Sequence, residues 1–133
     1  GLLNENIKAV SCDLEQNLSG VVDFFKLNNH KVSTVLCFDV IEHLFNPSML
    51  LEMIKGVCDK DTVLIFSTPE RDLKRGKDMM HSNKAEHVRE WNQEEFRKLM
   101  DYFGFSVKET KIVQDTDIRE DCLTTMIFRC GLK

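Results

Sequence analysis

A short segment, residues 38–44, holds the most reactive group of side chains in the chain. It follows an apolar run and has the sequence F-D-V-I-E-H-L, which brings Asp39, Glu42 and His43 close together. A histidine in this position can act as a general base near neutral pH. The two carboxylates and the imidazole could also supply part of an oxygen and nitrogen metal site. Glu42 and His43 could instead only brace the helix that follows, so the spacing leaves these alternatives open and we assign no metal ligand.

A second reactive segment, residues 87–91, has the sequence H-V-R-E-W. Arg89 could hold an anionic group of a substrate, and His81 and His87 could act as ligands or as acid–base groups. Lone histidines in loops are commonly only solvated, so that alternative stays open for both. Trp91 could contact a substrate, but its place directly before a helix cap also suits a hydrophobic staple.

Acidic residues follow two of the apolar runs. Asp13 comes after residues 7–12, and Asp39 comes after residues 31–38, which end in four consecutive apolar residues. In an open parallel sheet, ligands bind outside the carboxyl ends of the strands. A carboxylate at such a strand end can accept hydrogen bonds from a nucleoside. Both aspartates are therefore candidates for a ligand site at one edge of a sheet.

The elements that must position these residues form a strand–helix–strand unit. Residues 31–38 indicate a strand buried on both faces, as in a parallel sheet, and residues 62–67 form a second strongly apolar strand. Between them, Asn46 can cap a helix and Pro47 suits its first position. The pattern predicts a βαβ unit with a right-handed crossover.

The C-terminal part predicts a helix followed by a hairpin. Residues 91–104 carry a capping box from Asn92 and Glu95 and an apolar face with helical spacing. Residues 105–113 and 122–130 then predict two antiparallel strands. The fold class is therefore α/β, with a mostly parallel sheet and an antiparallel pair at one edge.

Two segments are ambiguous. Residues 21–27 fit either a short helix or a weak strand, and residues 70–90 have no helical or strand period. A long segment of this kind within a compact domain is typical of a functional loop or lid. Disorder is the alternative interpretation of the same segment.

Length and composition limit the class of protein. The 133 residues fit a single domain, and a composition of 42% hydrophobic and 30% charged residues is ordinary for a folded chain. The net charge of −4 argues against a general nucleic-acid partner but leaves a local basic patch open. The apolar runs are too short to span a membrane. The five cysteines are odd in number and form no C-x-x-C pair, so we expect buried free thiols and a cytoplasmic protein.

A series of motifs gives the chain a family resemblance. It resembles the second half of a class I S-adenosylmethionine-dependent methyltransferase, of the small type 11 or type 23 methyltransferase-like subgroup, over residues 7–129. The motifs are V-L-C-F-D-V-I-E-H-L, N-P, T-V-L-I-F-S-T-P-E-R-D, H-V-R-E-W and Y-F-G-F, in that order. The resemblance implies a Rossmann-like methyltransferase sheet with an antiparallel C-terminal hairpin. It also implies S-adenosylmethionine as cofactor and a small-molecule acceptor, without a nucleic-acid or membrane partner.

The resemblance implies cofactor-binding roles for four residues. Asp13 and Leu14 correspond to the pair that holds the adenine in the family. Phe38 and Asp39 correspond to the end of the strand that faces the methionine part of the cofactor and the substrate.

The resemblance implies catalytic and substrate-binding roles as well. Glu42 and His43 match an E-H pair that lies near the transferred methyl group in some members, so His43 or a neighbouring carboxylate would remove the acceptor proton. In some relatives an E-x-x-E-H pattern binds a divalent metal, and this chain has Asp in its first place. His87, Arg89 and Trp91 of the H-V-R-E-W motif are the expected substrate-binding residues.

One departure from the family pattern concerns the start of the chain. The glycine-rich loop G-x-G-x-G has no counterpart, since residues 13–20 carry only one glycine. The resemblance therefore implies a single partial domain, residues 1–133, that lacks the N-terminal strands. Unpaired buried peptide groups are costly, so we expect the strand at residues 7–12 to move against the strand at residues 31–38, or a homo-oligomer to cover the incomplete sheet. The missing loop leaves a non-catalytic interaction domain, or a degenerate fragment on the same fold, as the alternative function.

Overall fold

The computed structural model describes residues 7, 9–114 and 123–133. In chain order its elements are α1 (Ser19–Leu27), β1 (Thr34–Phe38), a 3-10 turn (Ile41–His43), α2 (Pro47–Val57), β2 (Val63–Pro69), α3 (Arg71–Arg75), α4 (Gln93–Tyr102), β3 (Phe105–Gln114) and β4 (Leu123–Leu132).

The strands form one four-stranded sheet in the order β1-β2-β4-β3. β1 and β2 are parallel and are joined by α2, which confirms the predicted βαβ unit. β4 lies between β2 and β3 and is antiparallel to both, so the predicted C-terminal hairpin is confirmed as well. The segment that joins its strands, together with Cys122, lies outside the described residues.

Local signals explain where the two longer core helices begin and end. The Asn46 side chain accepts a hydrogen bond from the backbone of Ser48, and Pro47 occupies the first turn of α2. Asn92 and Glu95 form the predicted capping box of α4. Gly104 follows that helix with a φ of +85°, a conformation that glycine adopts at little cost. Both helices are therefore fixed by their sequence.

The core lies on one face of the sheet. Alternate strand residues on this face pack against α2 and α4, as expected for an amphipathic layer. The completely or almost completely buried apolar residues include Leu51, Ile54, Leu64, Phe66, Phe96, Met100, Phe105, Met126 and Phe128. This layer anchors the carboxyl ends of β1 and β2, from which the reactive segment departs.

The opposite face of the parallel pair is partly bare, which corrects one expectation. β1 is the outer strand of the described sheet, and Leu36 and Phe38 are 59% and 50% exposed. The sequence predicted burial on both faces because the run is continuously apolar. Among the described residues, the helices cover only the face of Cys37, so the other face stays open.

The predicted strand at residues 7–12 is wrong for the part that the structure describes. Residues 7 and 9–12 have no strand pairing, and Ile7 and Val10 are exposed. An isolated extended segment gains no ladder hydrogen bonds and buries no apolar face, so its apolar composition does not make it a strand. The expectation that it moves against β1 is wrong too, because β1 pairs with β2 alone among the described strands.

The remaining sequence expectations have simple outcomes. Residues 21–27 are helical within α1, and residues 70–90 contain the short helix α3. The described cysteines Cys12, Cys37, Cys58 and Cys130 are free thiols, as predicted, but the expected burial holds only for Cys37 and Cys130, because Cys12 is exposed and Cys58 is half-buried. None of the helices in the described ranges is long and apolar enough to cross a membrane.

Candidate active site

Asp39 ties the carboxyl ends of β1 and β2 together. Its backbone N–H donates to the carbonyl oxygen and to Oγ of Ser67, each at 3.1 Å, and the Ser67 hydroxyl donates to Asp39 Oδ1 at 2.9 Å. Asp39 has a φ of +50°, in the left-handed region that aspartate tolerates better than most residues. The carboxylate is thus fixed at the edge where open α/β sheets bind ligands.

Glu42 is a buried carboxyl group in the 3-10 turn that follows. The Thr68 hydroxyl donates to its Oε2 at 3.2 Å. Burial raises the pKa of the Glu42 carboxyl above its ordinary value, and the nearby Asp39 charge raises it further. Hydrogen bonds from its own backbone and from Thr68 act in the opposite direction.

His43 has a defined tautomer because of its partner. Its Nδ1 lies 2.8 Å from the carbonyl oxygen of Glu86. A carbonyl can only accept, so Nδ1 carries the hydrogen and the Nε2 of the neutral ring keeps a lone pair. That lone pair can accept a proton or bind a metal.

His87 stands at right angles to His43, with ring centroids 4.8 Å apart. Its Nδ1 lies 2.5 Å from Oε1 of Glu90, whose side chain is only 1% exposed. Arg75 forms a buried ion pair with the same carboxylate, and the Ser82 hydroxyl donates to it at 2.9 Å. This buried network fixes the ring of His87, as a carboxylate does for a functional imidazole.

Backbone contacts bring the two histidine segments together. The N–H of Arg89 donates to the carbonyl oxygen of Glu42 at 3.2 Å, so residues 86–89 run beside residues 42–43. Trp91 pairs with Glu70 in an isolated bridge, which secures the end of the same loop to the end of β2. The loop predicted at residues 70–90 therefore supplies one wall of the site.

The ligand atoms of Glu42, His43 and His87 all lie within 4.8 Å of one another. One carboxylate and two imidazoles are a ligand set that suits a divalent transition metal with a fourth position open to water or substrate. The sequence grouped Asp39 with Glu42 and His43. Within the described residues, the third member of the group is His87. No spacing rule could find it, because His87 reaches the cluster only through the long loop.

A polar pocket of about 220 Å³ opens over this cluster. We call it the polar pocket; its lining includes Asp39, Glu42, His43, Lys74, Lys84 and His87. With Glu86, the lining holds three acidic residues, two histidines and two lysines, which in so small a volume suit a charged or strongly polar ligand group.

Asp13 and Leu14 lie in a turn held at the same edge of the sheet. The Asp13 carboxylate accepts from the backbone of Glu15 at 2.9 Å. The Glu15 carboxylate in turn accepts from the backbone N–H of Asn46 at 2.8 Å, next to the start of α2. Glu15 was missed by sequence reasoning, since nothing in its spacing marks it as the residue that attaches this turn.

Arg89 and Trp91 have different environments. The guanidinium of Arg89 is exposed and lies 6.0 Å from the centroid of the Trp91 ring. The ring itself is buried and packs edge-on against Phe96 at 5.9 Å, which is the predicted staple. Trp91 therefore faces the core, and of the two residues only Arg89 is open to a ligand.

A family model for the methyltransferase domain matches residues 5–110 of the chain. No curated protein matches the sequence.

Solved methyltransferases share the fold. One is the 1,6-didemethyltoxoflavin N1-methyltransferase of Burkholderia thailandensis, solved with its ligand and S-adenosylhomocysteine, at 13% identity and a TM-score of 0.58 over 76% of this chain and 44% of that one. Another is the magnesium protoporphyrin IX methyltransferase of Synechocystis PCC 6803, which is 20% identical with a TM-score of 0.51 over 77% of this chain and 46% of that one. A possible histamine N-methyltransferase of Thermotoga maritima is 18% identical with a TM-score of 0.56 over 76% of this chain and 56% of that one. The chain thus spans about half the length of these structures.

Proposed function

Because the chain belongs to the methyltransferase-domain family, we propose that the polar pocket is the acceptor side of an S-adenosylmethionine-dependent methyl-transfer site. The observation that carries the proposal is the position of His43. It lies just beyond the carboxyl end of β1, with Nδ1 fixed by a carbonyl and Nε2 left to take a proton. The acceptor is proposed to be a small molecule whose reacting end occupies this pocket of about 220 Å³.

The residues at this edge suit the cofactor. Its ammonium and sulfonium groups are cationic. Asp39 uses Oδ1 for Ser67, and no bond from a described residue occupies Oδ2, which is therefore proposed to face such a group. The half-exposed ring of Phe38 offers an apolar surface beside it. Asp13 and Leu14 are proposed to hold the adenine end, because Glu15 keeps their turn at this edge. When bound, the cofactor supplies an electrophilic methyl group.

The protein's own contribution is proton removal and orientation. His43 Nε2 accepts the proton of the acceptor nucleophile, and the Glu86 carbonyl stabilises the imidazolium that forms. Glu42, buried beneath it, adds negative charge or a hydrogen bond according to its protonation state. His87, held by Glu90, orients the acceptor from the opposite wall. Such general-base assistance typically contributes about 10²–10⁴-fold in rate.

A calorimetric titration with S-adenosylhomocysteine tests this proposal. We expect saturable binding that Asp39→Asn weakens about tenfold, the loss of roughly 1.4 kcal/mol that one charge-assisted hydrogen bond supplies. Asp101→Asn is the matched control, because Asp101 pairs with Lys133 at the far end of α4 and should leave binding unchanged. No binding to the wild-type chain would contradict the proposal and favour the non-catalytic interaction domain.

A second candidate function, metal-dependent hydrolysis in the same pocket, is favoured by the ligand spacing of Glu42, His43 and His87. It predicts that Zn²⁺ binds the dialysed protein with one equivalent per chain. His87→Ala should weaken Zn²⁺ binding at least tenfold, whereas His81→Ala, an exposed histidine outside the cluster, should not. Equal Zn²⁺ affinity of both variants would remove this candidate.

A homo-oligomer is proposed as the arrangement that covers the open side of the sheet. β1 is the outer strand of the sheet that the described residues form, and its own Leu36 and Phe38 expose apolar surface. An unpaired edge of this kind favours association with another strand. Sedimentation equilibrium should give more than one chain per particle, with Leu36→Lys shifting the mass toward the monomer.

A further inference from the structure

A second cavity, of about 410 Å³, lies next to the polar pocket and has no role in the proposal above. We call it the apolar groove; its lining includes Leu44, Phe45, Met80, Val88, Arg89 and Glu90. The volume is within the range of sites that bind small molecules.

The apolar groove continues the polar pocket along the same two segments of chain. Phe45 follows His43 by two residues, and the N–H of Arg89 donates to the carbonyl oxygen of Glu42 at 3.2 Å. The two cavities are therefore lined by neighbouring residues of the same two segments.

One part of the groove is lined by exposed apolar side chains, and charged and polar residues line the rest. Phe45, Met80 and Val88 are 82%, 60% and 42% exposed, and all three line the same cavity. Single exposed apolar residues are ordinary, but a group of them around a cavity marks a binding surface. This part of the groove would gain by contact with an apolar ligand body.

Both sides of the groove are held in place before any ligand arrives. Phe45 lies between the 3-10 turn and Asn46, whose side chain caps α2 and whose N–H is bonded to Glu15. The facing side is secured by the buried Glu90, which binds Ser82 at 2.9 Å and pairs with Arg75. A preformed site of this kind loses little entropy on binding.

Among the arginines that line the groove, Arg89 is the one whose charge can pair with an anionic group of a ligand. Arg71 is paired with Glu95 at 2.7 Å, and Glu90 is occupied by Arg75. No carboxylate pairs with Arg89 in the part of the chain that the structure describes; its guanidinium stacks at 6.0 Å over Trp91. The groove therefore favours a ligand with one anionic group.

We propose that the apolar groove binds the methyl acceptor, a small molecule with an apolar ring or chain as its body and a single carboxylate-type anion that pairs with Arg89. The nucleophilic atom then lies at the end of the molecule that reaches His43. This inference rests on the proposed function and specifies its acceptor class.

The single tryptophan of the chain provides the readout. Because Arg89 stacks over Trp91, an anion bound to Arg89 should change the tryptophan fluorescence. The probes are phenylbutyrate, phenylbutanamide and phenylbutylamine, which share one body and differ in charge. We expect phenylbutyrate to bind about tenfold more tightly than the amide and the amine to bind more weakly still.

Variants distinguish the contribution of the Arg89 charge to probe binding from the contribution of the apolar side chains. Arg89→Gln should abolish the preference for the carboxylate and leave amide binding unchanged, whereas Arg89→Lys should keep most of it. Arg129→Gln, an equal change of charge at an exposed position on β4, is the control. Phe45→Ala should weaken the carboxylate and the amide alike, by about tenfold.

Three results would overturn the proposal: equal affinity for the three probes, a carboxylate preference that survives Arg89→Gln, or no saturable binding. Probe binding needs no cofactor, so its outcome is independent of the S-adenosylhomocysteine titration. A chain that binds S-adenosylhomocysteine but none of the probes would keep the proposed function and lose this acceptor class.

Discussion

The two ends of the proposed site are built differently. On the acceptor side, His87 is fixed by a carboxylate that is 1% exposed and is itself held by Arg75 and Ser82. On the nucleoside side, the exposed Asp13 accepts a hydrogen bond within its own turn, and that turn is attached by the hydrogen bond from Asn46 to Glu15 and by the packing of the partly buried Leu14 against the core.

The two ends differ in how firmly their side chains are held. Buried, paired charges keep a single geometry because a rearrangement leaves a charge without its partner. An exposed turn can rearrange at little cost. The acceptor side is therefore rigid before any ligand binds, whereas the nucleoside side is free to adjust to its ligand.

The largest expected effect is on the buried ion pair. Glu90→Ala leaves the Arg75 guanidinium buried without its partner and should lower the free energy of unfolding by about 3–5 kcal/mol. Urea denaturation followed by circular dichroism measures the change. Glu94→Ala, which breaks the exposed pair between Glu94 and Lys98, should leave the free energy of unfolding almost unchanged. Similar losses for the two variants would mean that the network does not hold the acceptor side.

A comparison of two aspartates sharpens the contrast. Asp39→Ala removes the hydrogen bond with Ser67 and places alanine at a positive φ, so we expect a loss of about 2 kcal/mol. Asp13→Ala changes an exposed turn and should stay within about 0.5 kcal/mol. Thermal unfolding of both variants under one condition tests the difference. A larger loss at Asp13 would reverse the assignment of the rigid side.

The smallest expected effect depends on pH and concerns Glu42. Its pKa is raised in the folded state, so the folded form binds a proton more readily than the unfolded form. The stabilisation by that proton is complete below the ordinary pKa of about 4.5 and is lost as the pH rises through the higher folded value.

Glu42→Gln should therefore stabilise the protein near pH 7 by about 1 kcal/mol or less and give no gain near pH 4. Urea denaturation at the two pH values, with EDTA present to remove bound metal, measures the difference. A gain that is equal at both values would show that the carboxyl charge is not the cause. Glu52→Gln, on the exposed side of α2, is the matched control.

Local patterns were sufficient to predict much of the fold. The caps at Asn46 and Asn92 define α2 and α4, because capping uses only neighbouring residues. The strands β1 and β2 were also predicted, from their apolar runs. The strand predicted at residues 7–12 is not formed by the residues described there, since a strand needs a partner that its own sequence does not reveal.

For the candidate site, too, residues close in sequence could be predicted together and residues joined by tertiary contacts could not. Asp39, Glu42 and His43 could be grouped from the sequence because one short segment carries all three. That His87 lies beside Glu42 and His43 could not be predicted, since this proximity depends on contacts across a long loop. The Glu90 network that fixes this histidine is likewise a product of tertiary packing, and its residue types alone are ordinary.

The most direct test of the account is a map of amide chemical shifts in the ¹⁵N-labelled chain during titration with S-adenosylhomocysteine. We predict that the perturbed amides cluster at the carboxyl ends of β1 and β2, around Asp39, His43 and Thr68, with weaker changes at Asp13. A larger cavity, of about 440 Å³, lies at the other end of the sheet and includes His30, Val32 and Cys58. Shifts centred on that cavity, or no shifts at all, would contradict the account.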